Sequence, residues 1–234
     1  MIEIYPADSR FTSQHDWLHS NFSFSFAEYY DPNNLKFGPL RVLNDDIIQP
    51  ARGFGMHPHQ EMEIVSIVLS GYLQHEDSHG HRATTTFGEI QRMSAGTGIF
   101  HSEMNPSNDE EVNLLQLWFL PDTRGLTPSY EKTSYEIAKM KNNLLPVVTK
   151  KPTSAEVAHI HQDLTIYLSQ LEAGQELTFK QAEGRRIFLF VLDGELVIHG
   201  GLPLKQRDSA RITEIAQLSL IASTEARFML IDLP

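Results

Sequence analysis

Residues 54–64 read FGMHPHQEMEI and set two imidazoles around one proline. A proline fixes its own φ and pushes the residue before it toward extended backbone. His57 and His59 are therefore expected to be extended, and in an extended chain residues i and i+2 point to the same face. Two imidazoles held side by side with little backbone freedom suit a shared partner such as a metal ion. A second stretch, MSAGTGIFHSEMNPS at 93–107, runs from Ala-Gly-Thr-Gly, a loop with easy access to positive φ, into His101-Ser102-Glu103. If that triplet is extended, His101 and Glu103 also share a face. Two such pairs on two strands can converge inside one barrel. Three imidazoles and one carboxylate suit Fe(II), Mn, Ni, Co, Cu or Zn, and donor softness alone does not choose among them. Ligand distances of ~2.0–2.2 Å are expected, as for zinc.

Other polar residues compete for the same chemistry. Glu61 and Glu63 share the parity of His57 and His59 and would point into the barrel unless a bulge intervenes. An inward carboxylate needs a partner. Glu63 is thus a rival fourth ligand, or an acceptor for the N–H of a ligand histidine. His79-Gly-His81 lies in the polar run EDSHGHR and reads as a solvated turn. His159-Ile-His161 opens a strand in the second half, with no carboxylate at motif spacing. His15, His19, His75 and His199 read as surface or satisfied polar residues. Phe22, Phe24 and Phe26 read as a core stripe that could also wall a substrate.

The elements that must position these residues are strands. FSFSFAEYY (22–30) alternates strictly, as a half-buried strand does. EIVSIVLSGYLQHEDSHGH (63–81) reads as strand, turn near Gly71, strand and polar turn. NLLQLWFLP (113–121) is a continuous apolar strand. Short strands and frequent turn signals also fill the second half, which suggests a sandwich or small barrel. The stretch 123–158 is least strand-like and reads as a crossover with one short helix. IVSIVLSGYL (64–73) and IFLFVLDGEL (187–196) align without a gap and superpose Gly71 on Gly194. In that register Lys180 and Ala182 stand opposite His57 and His59, so the second copy keeps the frame and lacks the ligand set.

Composition narrows the class. The chain has 234 residues, enough for one large domain or two small ones. It has no cysteine, which excludes disulfides, thiolate zinc sites and cysteine nucleophiles. The formal charge is −11 with no basic cluster beyond Lys150-Lys151 and Arg185-Arg186, which argues against nucleic acid and anionic lipid. No apolar run is long enough to cross a bilayer and no secretory signal is visible, so a cytoplasmic location is expected.

FSFAEYYDP (24–32), FGMHPHQEMEI (54–64), MSAGTGIFHSEMNPS (93–107) and the C-terminal LIDLP together resemble the pirin family of the cupin superfamily. The likeness runs over nearly the whole chain and is greatest to bacterial pirin-like proteins with quercetin 2,3-dioxygenase activity. It implies an all-β bicupin, two β-barrels side by side, with a metal-binding barrel over 1–135 and a metal-free one over 136–234. It implies one divalent transition metal per chain, Fe(II) foremost, held by His57, His59, His101 and Glu103. Glu103 is carried over as the ligand although the general cupin motif has its glutamate at Glu63. The implied chemistry is ring opening of a flavonol by O2 with release of carbon monoxide; Glu103, or a neighbouring carboxylate, could take the proton of the 3-hydroxyl. The competing expectation is a redox-dependent regulator that binds a protein partner.

Overall fold

The computed structural model describes all of residues 1–234. Its regular structure is β apart from two short 3-10 helices, Ala7–Ser9 and Ile137–Met140. No helix is long and apolar enough to cross a membrane. The chain divides into two compact units. One joins Phe11–Tyr135 to Lys150–Gln162; the other joins Met1–Arg10, Glu136–Thr149 and Asp163–Pro234. This differs from the expected division at 135/136 in two segments. The strand Ile2–Tyr5 pairs antiparallel with Ser209–Thr213, Ile2 opposite Ile212, so the N-terminus completes the C-terminal unit. Residues 150–162 are held to the N-terminal unit by buried carboxylate contacts described below. Pairings this far apart in sequence leave no local pattern to read.

In the unit that carries His57, one sheet has the neighbour order Ser129–Ser134, Glu89–Ser94, Glu63–Ser70, Val112–Phe119, Leu40–Ile48, Leu18–Phe22 and Phe11–Gln14. A second sheet has the order Gly53–His59, Ile99–Met104, Tyr72–Asp77 and Arg82–Thr86. The continuous apolar runs become central strands: Glu63–Ser70 is buried over its first six residues, and Val112–Phe119 over six of eight. A buried strand needs no alternation, because both of its faces meet protein. Leu18, Ile48, Val68, Leu73, Val112 and Leu114 form one core to which both sheets contribute.

Two expectations fail here. The alternating 22–30 run is not a strand: Leu18–Phe22 ends at its first residue, and Ala27 has φ 47°. Ser23, Phe24 and Ser25 are all buried, so the alternation does not separate an inner face from an outer one. The 123–158 stretch holds the strand Ser129–Ser134, paired with Glu89–Ser94, as well as Leu145–Thr149 and the short helix.

The other unit has the neighbours Ile2–Tyr5, Ser209–Thr213, Arg186–Asp193, Ala226–Leu233, Thr165–Leu171 and Leu145–Thr149 in one sheet. Glu176–Lys180, Gln217–Ala222, Leu196–Ile198 and Leu202–Leu204 form the other. Side chains of both sheets fill its interior, among them Phe179, Leu189, Leu196, Leu220 and Phe228. The internal repeat has a structural counterpart. Gly71 (φ 77°) and Gly194 (φ 76°) follow equivalent strands and sit against the starts of Val112–Phe119 and Ala226–Leu233. A Cβ would stand 2.5 Å from Glu111 O at the first and 2.1 Å from Glu225 O at the second. Only glycine combines that φ with that approach.

Candidate metal centre and its cavity

The Gly53–His59 and Ile99–Met104 strands pair antiparallel with His101 directly opposite His57. His59 follows on the same face, and the three ring centroids lie 4.4–4.9 Å apart. Their ligand nitrogens are all within 4.8 Å of one another. Glu103 shares the inward face of its strand with His101, and both are buried. A register shift between His101 and Glu103 brings Glu103 opposite Phe54. Glu103 forms a second ligand-type group with His75 and His101, so it joins the cluster through His101. The loop before the strand is set by Gly96 (φ 46°), where a Cβ would stand 1.9 Å from Leu126 O.

Hydrogen bonds fix which nitrogen each ring can offer. His57 donates Nδ1–H to Gly55 O at 2.7 Å, which leaves Nε2 as its lone pair. His75 donates Nε2–H to Asp77 at 3.1 Å, so its Nδ1 is the acceptor that faces His101 Nδ1 at 3.4 Å. His101 then keeps its free lone pair on Nε2. Nε2 of His59 and Nε2 of His101 are both buried with no hydrogen-bond partner. Orphaned buried nitrogens are costly unless something outside the protein uses them. Burial, with His57 and His75 adding, pushes the His101 ring down to about 3. Burial, with His101 and His57 adding, pushes His59 down to about 4. Both rings are therefore neutral near pH 7, the form in which imidazole binds a metal. The donor set fits one divalent transition ion.

Glu103 is held by three donors: Ser66 Oγ at 3.2 Å, Gln91 Nε2 at 2.8 Å and Gln116 Nε2. The amides cannot turn over freely. Trp118 Nε1 donates to Gln116 Oε1 at 3.1 Å, and the Tyr130 hydroxyl donates to Gln91 Oε1 at 3.2 Å. With their oxygens engaged, both glutamines present nitrogen to the carboxylate.

Glu63 does not join the cluster. It is 1% exposed and accepts hydrogen bonds from Ser94 Oγ (2.8 Å), His161 N (3.0 Å), His161 Nδ1 (2.9 Å) and Gln162 N (2.8 Å). The parity argument breaks at Glu61, whose φ of 51° turns the chain from one sheet into the other. Glu63 therefore anchors the 150–162 segment, as Glu131 does by accepting His159 N at 2.9 Å. His159 and His161 lie apart from the three-histidine cluster for the same reason. The 79–81 turn is tied to Asp77, which accepts His79 N, His81 N and His81 Nδ1. Burial works to raise the Asp77 carboxyl, but hydrogen bonds from His75 and His81 outweigh it and hold it near 2.

His75, read as a surface or satisfied polar residue, is fully buried and satisfied by Asp77, but its place beside His101 was not read from the sequence. The signal was present: Leu73, His75 and Asp77 alternate on the inward face of their strand. Gln91, Gln116, Asn44 and Asp46 were also missed.

The cluster opens on a cavity of about 300 Å³. Phe22, Phe26, Phe54 and Trp118 give it aromatic surface, and His57, His59 and Glu103 line it at the metal end. Trp118 packs edge-on against His59 at 4.7 Å and against Phe26 at 5.3 Å. Phe22 and Phe26 thus wall the cavity, while Phe24 is core at 1% exposure.

Comparisons with known proteins identify the family. The pirin family profile matches residues 6–119, and a quercetinase C-terminal cupin domain profile matches 147–233. Quercetin 2,3-dioxygenase of Escherichia coli (strain K12) is 38% identical over 235 residues, covering 100% of this chain and 99% of that protein. A Pasteurella multocida relative is 40% identical over 222 residues, 93% of this chain and 92% of that one. The crystal structure of the Escherichia coli bacterial pirin YhhW in complex with nickel(II) matches with a TM-score of 0.94 at 38% identity, covering 100% and 99% of the two chains. By likeness along its whole length, this chain belongs to the pirin family and has its cupin-type two-domain fold.

Proposed function

We propose that the protein is a metal-dependent dioxygenase that opens the ring of a flavonol with O2 and releases carbon monoxide. His57, His59, His101 and Glu103 hold the metal in this reading. The observation that carries it is the pair of orphaned buried nitrogens, on His59 and His101, at the head of an aromatic-walled cavity. The Escherichia coli relative's name, quercetin 2,3-dioxygenase, supports the substrate class, and the nickel(II) complex of YhhW supports a divalent ion. When bound, the ion would act as a Lewis acid and lower the pKa of a coordinated hydroxyl.

The chain's own residues do the rest. Imidazole ligands add no charge, so among the proposed ligands Glu103 is the one that brings negative charge. Glu103 Oε1 and Oε2 face donors from Ser66, Gln91 and Gln116, which stabilise its carboxylate and keep it aimed at the cavity. Glu103 would accept the proton of the flavonol 3-hydroxyl on a carboxylate oxygen. Phe22, Phe26, Phe54 and Trp118 stack on the ring system and exclude water from the reacting carbons.

The test is an assay of protein loaded separately with Fe(II), Mn(II), Ni(II) and Co(II) against quercetin, in air and without oxygen. Flavonol loss, oxygen uptake and carbon monoxide should appear together and only in air. Quercetin left intact in air with every loaded metal would reject the reading.

A further inference from the structure

Asn44 and Asp46 lie two residues apart on the Leu40–Ile48 strand, and both line the cavity shared with His57, His59 and Glu103. Their exposures are 3% and 2%. The Asn44 amide oxygen is buried with no hydrogen-bond partner. The Asp46 carboxyl takes a side-chain hydrogen bond from Ser20 Oγ, on the residue directly opposite it in the neighbouring strand. Asp45 between them is buried as well and accepts a hydrogen bond from Asn113 Nδ2, so RVLNDDII interrupts a core strand with three polar groups. Buried polar groups with too few partners weaken a fold unless a ligand completes them.

The chemistry of the missing partner follows from the groups present. In its ionised form the Asp46 carboxylate only accepts hydrogen bonds, while an amide both donates and accepts. Two adjacent hydroxyls match that pair: one donates to Asp46, and the other exchanges a hydrogen bond with Asn44. Glu28, Asp46 and Glu103 all line the cavity, and no lysine or arginine does, so a ligand with an added anionic group is disfavoured. The surrounding Phe22, Phe26 and Trp118 suit an aromatic ring as the bearer of those hydroxyls.

We propose that Asn44 and Asp46 form a hydroxyl-reading subsite that selects substrates with a vicinal dihydroxyphenyl ring over those with an unsubstituted ring. The assignment rests on the dioxygenase reading, because it takes the other end of the substrate to sit at the metal.

The test uses nickel(II)-loaded full-length protein without oxygen. Quercetin is compared with galangin, the flavonol that lacks only the two vicinal hydroxyls. Wild type should bind quercetin at least ~tenfold more tightly, the rejection expected of a site built to hydrogen-bond a hydroxyl. Asp46→Leu and Asn44→Leu should each collapse that ratio toward one. Metal content and melting temperature establish that each variant folds, and the melting temperature should hold or rise for Asn44→Leu, which removes the orphaned amide oxygen. If neither leucine variant folds, Asp46→Asn keeps the shape. It turns one of the two acceptor oxygens into an NH2 donor, so the ratio should still fall severalfold. A ratio near one in wild type, or a ratio unchanged in the folded variants, overturns the subsite and leaves the dioxygenase reading intact. If wild type binds neither flavonol while metal-loaded, the dioxygenase reading falls and the subsite with it.

Discussion

At the scale of the residue, the centre depends on hydrogen bonds that choose which nitrogen each ring presents. His75 fixes the tautomer of His101 and is itself fixed by Asp77. His75→Ala should leave all proposed ligands in place yet weaken metal affinity by ~10–100-fold, the usual effect of losing an orienting partner. Competition against a chelator measures it. The two glutamates should separate cleanly. Glu103→Ala should lower metal occupancy far more than Glu63→Ala, read by elemental analysis. Glu63→Ala should instead cost ~2–4 kcal/mol of stability, because Ser94, His161 N and Gln162 N lose a buried carboxylate at once. Asp46 carries a pH signature. Burial, against the Ser20 hydrogen bond and helped by Asp45 and Glu103, pushes its carboxyl up to about 7 from an ordinary 3.8. Across that window the folded state binds more protons than the unfolded state, so this contribution to stability is present at low pH and is lost as pH rises toward 7. Wild-type stability minus that of Asp46→Asn should therefore fall by a few kcal/mol over the window, at ~1.4 kcal/mol per unit. Urea unfolding of metal-free protein at stepped pH checks the difference and cancels the histidine contributions common to both.

At the scale of the element, two strands bring the histidines together and one loop sets their register. Gly96 holds φ 46° against Leu126 O. Gly96→Ala should destabilise the protein by ~1–3 kcal/mol and displace the start of Ile99–Met104. Metal affinity should fall with it, while His101 and Glu103 remain chemically unchanged. Calorimetry and metal titration on the same variant separate the two effects. The legible part of the site was legible for the same reason. Strands convert spacing into facing, so His-Pro-His and His-Ser-Glu could be read as inward pairs without knowing the fold. The reading failed where the strand rule stops. Glu63 follows a left-handed residue, and parity does not cross such a turn. FSFSF alternates without being a strand, because its serines are buried in a tight loop (Ser23 N donates to Leu43 O at 3.0 Å). His75 was missed for the opposite reason: its strand was recognised, but its inward face was not followed past Leu73.

At the scale of the molecule, the two units reuse one strand–glycine–strand frame for different interiors. Large apolar residues fill the C-terminal unit. The N-terminal unit gives up part of its core for a polar-edged cavity. One transition metal per chain is expected, with occupancy unchanged by His159→Ala; a second tightly bound ion would contradict it, and elemental analysis decides. The all-β class was readable from short strands and turns, whereas the exchange of segments between units was not. That exchange bears on how the protein can be made. A ribosome that has emitted only the first 135 residues has produced every metal-centre residue, but not the His161 and Gln162 backbone that quenches the Glu63 carboxylate. Meanwhile Ile2–Tyr5 is synthesised about two hundred residues before its partner Ser209–Thr213. Neither half is finished when its own stretch of message has been read. Expression of residues 1–135 alone should yield a poorly folded fragment, and the centre should become competent for metal only late in translation.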